Sequence, residues 1–197
     1  MPKIVDHQQR RSEITAVAAR HISDNGIEAL TFRELARATG YSKGIIEHYF
    51  DDKADLVSAS LDWANHRYYE RADAAVKDKT GLAAVEARLL STLPMNADIR
   101  LEWKIRLVFW SMACFDAALN DEQRSRVDKT TRHFVEEFKV AVNQGDMQPA
   151  GNLHSVAQRL VFTISGLSCA AVHNPDEYTP RRLKKEVRHI IEELQRE

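Results

Sequence analysis

Helix-breaking residues are scarce in this chain. It has 7 Gly and 5 Pro among 197 residues, and both residue types destabilise the interior of a helix. Between them lie long stretches with apolar residues at helical spacing, and no stretch shows the apolar-polar alternation of a half-buried strand. The sequence therefore predicts an all-α fold of about nine helices.

Residues 31–56 have the layout of a helix-turn-helix. Thr31 is positioned to cap a helix over residues 32–39, Gly40 to end it, and Ser42 to cap a second helix over residues 43–50. A helix of about seven residues is roughly 10 Å long and fits a major groove about 12 Å wide. This segment is a candidate reader of DNA.

The remaining helices divide the chain into two predicted domains. Residues 1–52 form an N-terminal three-helix DNA-binding domain, and residues 53–197 form a larger helical domain for ligand binding and dimerisation. Apolar spacing predicts these other helices: 7–25, 53 to about 75–79, 82–93, 100–119, 121–143, 153–172 and 180–195.

The charge distribution limits how DNA could be bound. The net charge is −1, and residues 1–56 hold 8 Lys and Arg against 9 Asp and Glu. A general basic surface is therefore absent from this segment, and DNA binding would depend on a few well-placed groups.

Cysteine usage and hydropathy favour a cytoplasmic protein. Cys114 and Cys169 lie in apolar runs without metal-ligand spacing, so we expect reduced thiols, no metal and no cofactor. Residues 1–11 lack the apolar core of a signal peptide. The uncharged run at 160–172 is shorter than a membrane span, so we expect no membrane partner.

Several short motifs follow one another at characteristic spacing in the N-terminal part of the chain: the basic pair Arg10-Arg11, Asn25-Gly26, Thr31, and the segments 40–44 and 48–53. Together they resemble the N-terminal domain of TetR-family transcriptional repressors. Residues 1–3, 44–50 and 104–110 are also similar to the choline-responsive BetI branch of that family.

The resemblance implies that Thr31 and Lys53 hold phosphates and that five residues around the second helix contact DNA: Ser42, Lys43, Gly44, His48 and Tyr49. Arg33, Tyr41 and Glu47 are further candidate contacts. Tyr41 and Glu47 depart from the BetI pattern, which has a small aliphatic and a neutral residue at these positions. Two alternatives stay open for Glu47. It could accept a hydrogen bond from cytosine N4, or it could simply pair with Lys43 one helical turn away.

The most aromatic predicted helix supplies candidates for an effector pocket: Trp103, Arg106, Phe109, Trp110 and Phe115. A ligand pocket is mostly apolar with a few polar anchors, but aromatic residues at helical spacing can equally form a core. A quaternary ammonium effector would need an aromatic cage, for which Trp103, Trp110 and Tyr68 or Tyr69 are candidates.

Small residues at four-residue spacing mark the penultimate predicted helix: Ser165, Gly166, Cys169 and Ala170. Such a face lets another helix approach closely. It could serve the monomer core, but the resemblance implies a two-fold dimer interface here.

Taken together, the sequence predicts a homodimeric, ligand-responsive transcriptional repressor. It would bind a pseudo-palindromic operator in double-stranded DNA and be released by an unknown small-molecule inducer. Two alternatives are an all-α enzyme or metal-binding protein with only a helix-turn-helix-like N-terminus, and a protein-binding adaptor. The sequence has no clear pairing of a nucleophile with a base, so we expect no enzyme activity.

Overall fold

The computed structural model describes residues 7–148 and 151–196, and these residues form nine α-helices and no strand. The predicted all-α fold is confirmed. The helices are α1 (His7–Asn25), α2 (Phe32–Thr39), α3 (Lys43–Tyr49), α4 (Lys53–Val76), α5 (Gly81–Thr92), α6 (Ala97–Ala113), α7 (Ala117–Gln144), α8 (Leu153–His173) and α9 (Pro180–Leu194).

Local capping fixes the helix-turn-helix. The Glu34 backbone N–H donates to Thr31 Oγ1 over 3.1 Å, and the Ile45 N–H donates to Ser42 Oγ over 3.3 Å. Between the two helices Gly40 has φ 73°, a left-handed conformation that favours glycine. These signals lie within a few residues of each other, which explains why the bounds of α2 match the prediction.

The predicted single helix over residues 100–119 is wrong. Helix α6 ends at Ala113, and α7 begins at Ala117, four residues before the predicted start. Asp116 makes the break because its Oδ1 accepts the Leu119 N–H over 3.0 Å as an N-cap. The continuous apolar spacing concealed this cap signal.

Two apolar cores hold the helices together. The first combines buried residues of α1, α2, α3, α4 and α6, and therefore continues across the predicted domain boundary at residues 52 and 53. The Lys104 ammonium on α6 also donates to the Ser23 carbonyl of α1 over 2.8 Å. The second core combines residues of α5, α7, α8 and α9.

A buried carboxylate joins α4 to α6. The side chain of Glu102 on α6 is 1% exposed and accepts from Arg67 Nε over 3.1 Å and from Arg71 Nη2 over 2.7 Å. Arg71 Nε also donates to the Ser91 carbonyl of α5 over 2.9 Å. One carboxylate thereby fixes the relative positions of α4 and α6.

Helix α8 matches the predicted helix over residues 153–172 to within one residue and is longer than the uncharged run at 160–172. It spans 21 residues, and within 7–148 and 151–196 it alone has the length and apolar composition of a membrane span. The core helix of a soluble protein passes the same test. Val156, Leu160 and Ile164 of α8 are buried in the second core.

We expect Glu102→Ala to lower the free energy of unfolding by about 3 kcal/mol, because it leaves Arg67 and Arg71 without their shared carboxylate. Urea denaturation measures the change. Asp98→Ala is the matched control, since Asp98 lies on the same helix and is 3.6 Å from Arg67 but its side chain is 78% exposed. The control should change stability by less than about 0.5 kcal/mol, and equal effects would contradict the assignment.

Candidate DNA-binding surface and effector cavity

Helix α3 has one buried and one exposed face. Ile46 and Phe50 are buried in the first core. Lys43, Glu47 and His48 are exposed, together with Gly44. The exposed face is polar and short, as required of a helix that enters a major groove.

Arg11 of α1 holds the C-terminal end of α3 in place. Its Nη1 donates to the Tyr49 carbonyl, and its Nη2 lies 3.1 Å from Asp55 Oδ1. The guanidinium also lies 4.4 Å from the centre of the Phe50 ring. The sequence marked Arg11 only as part of a basic pair, because nothing local indicates that α1 passes beside α3.

The side chains of three predicted DNA contacts make hydrogen bonds to residues more than 25 positions away in the chain. The Tyr41 hydroxyl donates to Glu13 Oε2 over 2.9 Å, which ties the turn to α1. The Tyr49 hydroxyl and His7 Nδ1 are 2.9 Å apart. Lys53 Nζ donates to the Ile27 carbonyl over 3.0 Å. To contact phosphate, Lys53 would have to leave or share this bond.

The other predicted DNA contacts lie around α3. Thr31 and Ser42 are exposed caps, and Arg33 is exposed on α2. Lys43 and Glu47 form an ion pair along the exposed face of α3. This is the pairing that the sequence offered as one of two roles for Glu47.

A cavity of about 340 Å³ lies between α4, α6, α7 and α8, at the small end of the range of about 300 to 1,000 Å³ for ligand pockets. Three of the five predicted pocket residues line it: Trp103, Arg106 and Trp110. The two indole rings form an edge-to-face pair with centroids 5.9 Å apart. Trp103 Nε1 donates to the Thr92 carbonyl over 2.6 Å.

The other two pocket predictions are corrected. Phe109 is fully buried in the first core, and the Arg126 guanidinium of α7 lies 5.8 Å from the centre of its ring. Phe115 lies in the turn before α7 and is 92% exposed. The unrecognised break at Asp116 moves Phe115 off the helix that the sequence had assigned to it.

Most of the cavity wall comes from α4 and α7, of which the sequence named only Tyr68 and Tyr69, as candidates for an aromatic cage. Asn65 and Tyr69 on α4 and Gln123, Arg126 and Thr130 on α7 line the cavity. Their three- and four-residue spacing places each set on one helix face, so the sequence alone could have predicted each of the two faces. What the sequence lacked was the information that these faces meet.

Burial shifts the pKa values of several polar side chains at the cavity. Arg106 Nη2 donates to Asn65 Oδ1 over 2.7 Å, and burial lowers the pKa of Arg106. Burial raises the pKa of Tyr68, against an opposing influence from Arg88. Burial also disfavours the charge of Arg126, but hydrogen bonds to Glu122 and Asp62 outweigh it and raise the pKa of Arg126.

The predicted dimer residues occupy different positions on α8. Ser165 lines the cavity. Gly166 is exposed, and Cys169 and Ala170 are half-buried. One turn before Gly166, Phe162 is 63% exposed, which is unusual for a large apolar side chain.

Two His–Glu pairs one helical turn apart lie on α4 and α7, and the Glu137 carboxylate also accepts from Arg88. His66 lies 3.3 Å from Glu70, and His133 lies 3.2 Å from Glu137. Across the described ranges, no three His, Cys, Asp or Glu side chains are grouped around a metal position.

These features are those of a helix-turn-helix regulator: a capped turn, a short exposed helix and a cavity in the attached helical region. The family model of the bacterial regulatory proteins of the tetR family matches residues 14–59. The C-terminal model of BetI-type transcriptional repressors matches residues 82–196, more than half of the chain. The chain belongs to the TetR family, with a C-terminal region of the BetI type, as the sequence motifs predicted.

Similar proteins agree with this assignment. The regulator PksA of Bacillus subtilis is 24% identical over 196 residues, 98% of this chain and 94% of PksA. BetI of Burkholderia ambifaria is 28% identical over 174 residues, 85% of this chain and 84% of BetI.

Two solved structures share the fold. A TetR-family regulator from Rhodococcus sp. has a TM-score of 0.82, 18% identity and coverage of 95% and 99% of the two chains. A regulator from Saccharomonospora viridis in complex with choline has a TM-score of 0.84, 20% identity and coverage of 94% and 97%.

We expect Tyr68 to ionise above its ordinary pKa of 10.0, because burial favours the neutral phenol. The contribution of the neutral Tyr68 phenol to the free energy of unfolding is present below pH 10 and is lost as the pH rises through the raised pKa. An ultraviolet absorbance titration of Tyr68→Phe should lack the delayed component. Tyr69→Phe, which removes the exposed neighbour, should retain it. A delayed component that survives in Tyr68→Phe would contradict the assignment.

Proposed function

We propose that this protein is a homodimeric transcriptional repressor that leaves its operator when a small molecule enters the cavity. The observation that carries the proposal is the two-sided packing of α6. Ile105 and Phe109 are buried in the core shared with the DNA-binding helices. Trp103, Arg106 and Trp110 of the same helix line the cavity.

Ligand binding can therefore act on α3 through packed side chains. A ligand that moves α6 also moves Ile105 and Phe109, against which the N-terminal helices pack. Tightly packed cores pass on such displacements because they have few voids to absorb them. The ligand favours release only to the extent that it binds the DNA-free arrangement better.

In the operator complex, each α3 lies in a major groove. Lys43, Gly44, His48 and Tyr49 face the DNA, with Tyr41 and Arg33 beside them. Thr31 and Ser42 cap the helices whose N-terminal N–H groups are directed at phosphate oxygens, and Lys53 holds a phosphate at the other side. Glu47 reaches a base edge only if its ion pair with Lys43 opens.

Two copies read two half-sites of a pseudo-palindrome, about 34 Å or a multiple of it apart. The exposed face of α8 supports a two-fold contact along this helix through Ser165, Gly166, Cys169 and Ala170. An added Cβ at Gly166 would have no neighbour within 4 Å, so another helix has room to approach. Phe162 adds apolar area to the same face.

The comparisons support repression and ligand response as family-level expectations. The C-terminal match is to BetI-type transcriptional repressors, and one structural neighbour holds choline. The relatives are transcriptional regulators, so the enzyme and adaptor alternatives have no observation that favours them.

We expect Lys43→Glu to abolish binding to operator DNA, because it places a carboxylate beside the phosphates in addition to Glu47. Fluorescence anisotropy at several salt concentrations measures the affinity. For the unmodified protein, log affinity should fall with log salt by about 0.9 per neutralised phosphate.

Lys139→Glu is the matched control for this charge reversal. Lys139 is an exposed lysine on α7, paired with Glu136 and away from α3. The control should retain operator affinity. Survival of operator binding in Lys43→Glu, or equal losses in both variants, would refute the placement of α3.

We expect Gly166→Arg to convert the dimer to a monomer, because it puts a bulky charge into the α8 contact. The substitution leaves the monomer intact, since the position is exposed and Arg favours a helix over Gly. Analytical ultracentrifugation measures the assembly. Ser125→Arg, at an exposed position on α7, is the control and should remain dimeric. A dimeric Gly166→Arg would place the interface elsewhere.

A further inference from the structure

We propose that the cavity binds a small organic anion, a carboxylate attached to an aromatic or other apolar group, with Arg106 as its partner. This proposal deepens the effector role above and rests on it for its regulatory meaning. The binding itself can be measured without DNA.

The charges around the cavity favour an anion. Its lining contains three cationic side chains, Arg106, Arg126 and Lys129, and a single carboxylate, Asp62. That carboxylate is already used, because Asp62 Oδ1 lies 2.7 Å from Arg126 Nη2. Glu122 pairs with the same guanidinium. The charge of Arg126 is therefore compensated by direct ion pairs. Among the described residues, Arg106 has no direct ion pair and, with a carboxylate, only a longer-range electrostatic interaction with Glu102.

Arg106 has donors to spare. Its only hydrogen bond to the described residues goes from Nη2 to the neutral Asn65 amide oxygen. An arginine carries five N–H donors in a fork that fits the two oxygens of a carboxylate. A ligand carboxylate could accept from the remaining donors while Asn65 holds the guanidinium in place.

No carboxylate on α6 forms an ion pair with Arg106. Glu102, one helical turn from Arg106, is committed to Arg67 and Arg71. Burial lowers the pKa of Arg106, and the negative charge of Glu102 opposes that shift without a direct ion pair. An anionic ligand would give the half-buried guanidinium a direct counter-charge.

The aromatic residues of the cavity are poorly arranged for a quaternary ammonium ion. The Arg106 guanidinium lies 4.7 Å from the centre of the Trp103 ring, and Lys129 Nζ lies 5.5 Å from that of Tyr69. Two of the four candidate cage residues thus already have a cation of the protein against the ring. Trp110 and Tyr68, which complete that set, can still contact an apolar ligand body.

The test is a binding series with matched ligands on the full chain. The probes are benzoate, phenylacetate and 3-phenylpropionate, the three corresponding amides, and the cations choline and benzyltrimethylammonium. Tryptophan fluorescence reports binding, because two of the three tryptophans line the cavity. Calorimetry confirms each dissociation constant.

At least one carboxylate should bind about tenfold or more tightly than its amide, as expected for a charge-assisted hydrogen bond. Arg106→Gln should remove that advantage and leave amide binding within about threefold. Arg106→Lys keeps the charge without the fork, so it should retain part of the advantage. Arg124→Gln, an exposed arginine on α7, is the control and should bind like the unmodified protein.

Three results would overturn the proposal: tighter binding of either cation than of the carboxylates, a carboxylate advantage that survives in Arg106→Gln, or no carboxylate binding up to about 10 mM. If Arg106→Gln does not fold, Arg106→Lys and the ligand series still decide. A carboxylate that binds without releasing DNA keeps the ligand class and refutes the coupling. Release of DNA by a cation that binds in this cavity would keep the coupling and refute the ligand class.

Discussion

The packing of α6 between two environments is the constraint on which the rest of the structure depends. One side of this helix is buried with the N-terminal helices, and the other lines the cavity. Glu102 then locks α6 to α4 through two arginines. The N-terminal helices therefore share their core with α4 and α6, and the proposed coupling to the cavity depends on this shared packing.

The same arrangement determines the electrostatics of the cavity. Carboxylates around α4, α6 and α7 are consumed in pairs with Arg67, Arg71 and Arg126. Arg106 is left with an amide and an indole ring. These contacts are the basis of the proposal that the cavity binds an anion.

Local signals in the sequence predicted the N-terminal half well. Caps at Thr31 and Ser42 and the glycine at position 40 depend on atoms within a few residues, so α2 and its turn followed directly. The same kind of signal at Asp116 was missed because apolar spacing continues through it. That omission also misplaced Phe115. Trp103, Arg106 and Trp110 were identified by type, as were Tyr68 and Tyr69 on α4, but not Asn65 or the α7 residues that face them.

The sequence by itself determined the helical class, the capped helix-turn-helix and the family, because each depends on residue type at short spacing. Only the tertiary structure decided which helix faces meet. It placed Arg11 against α3, Phe109 in the core and Arg106 in the cavity beside the Asn65 amide. The physical reason is that burial and charge pairing depend on residues far apart in the chain, whose proximity no local pattern encodes.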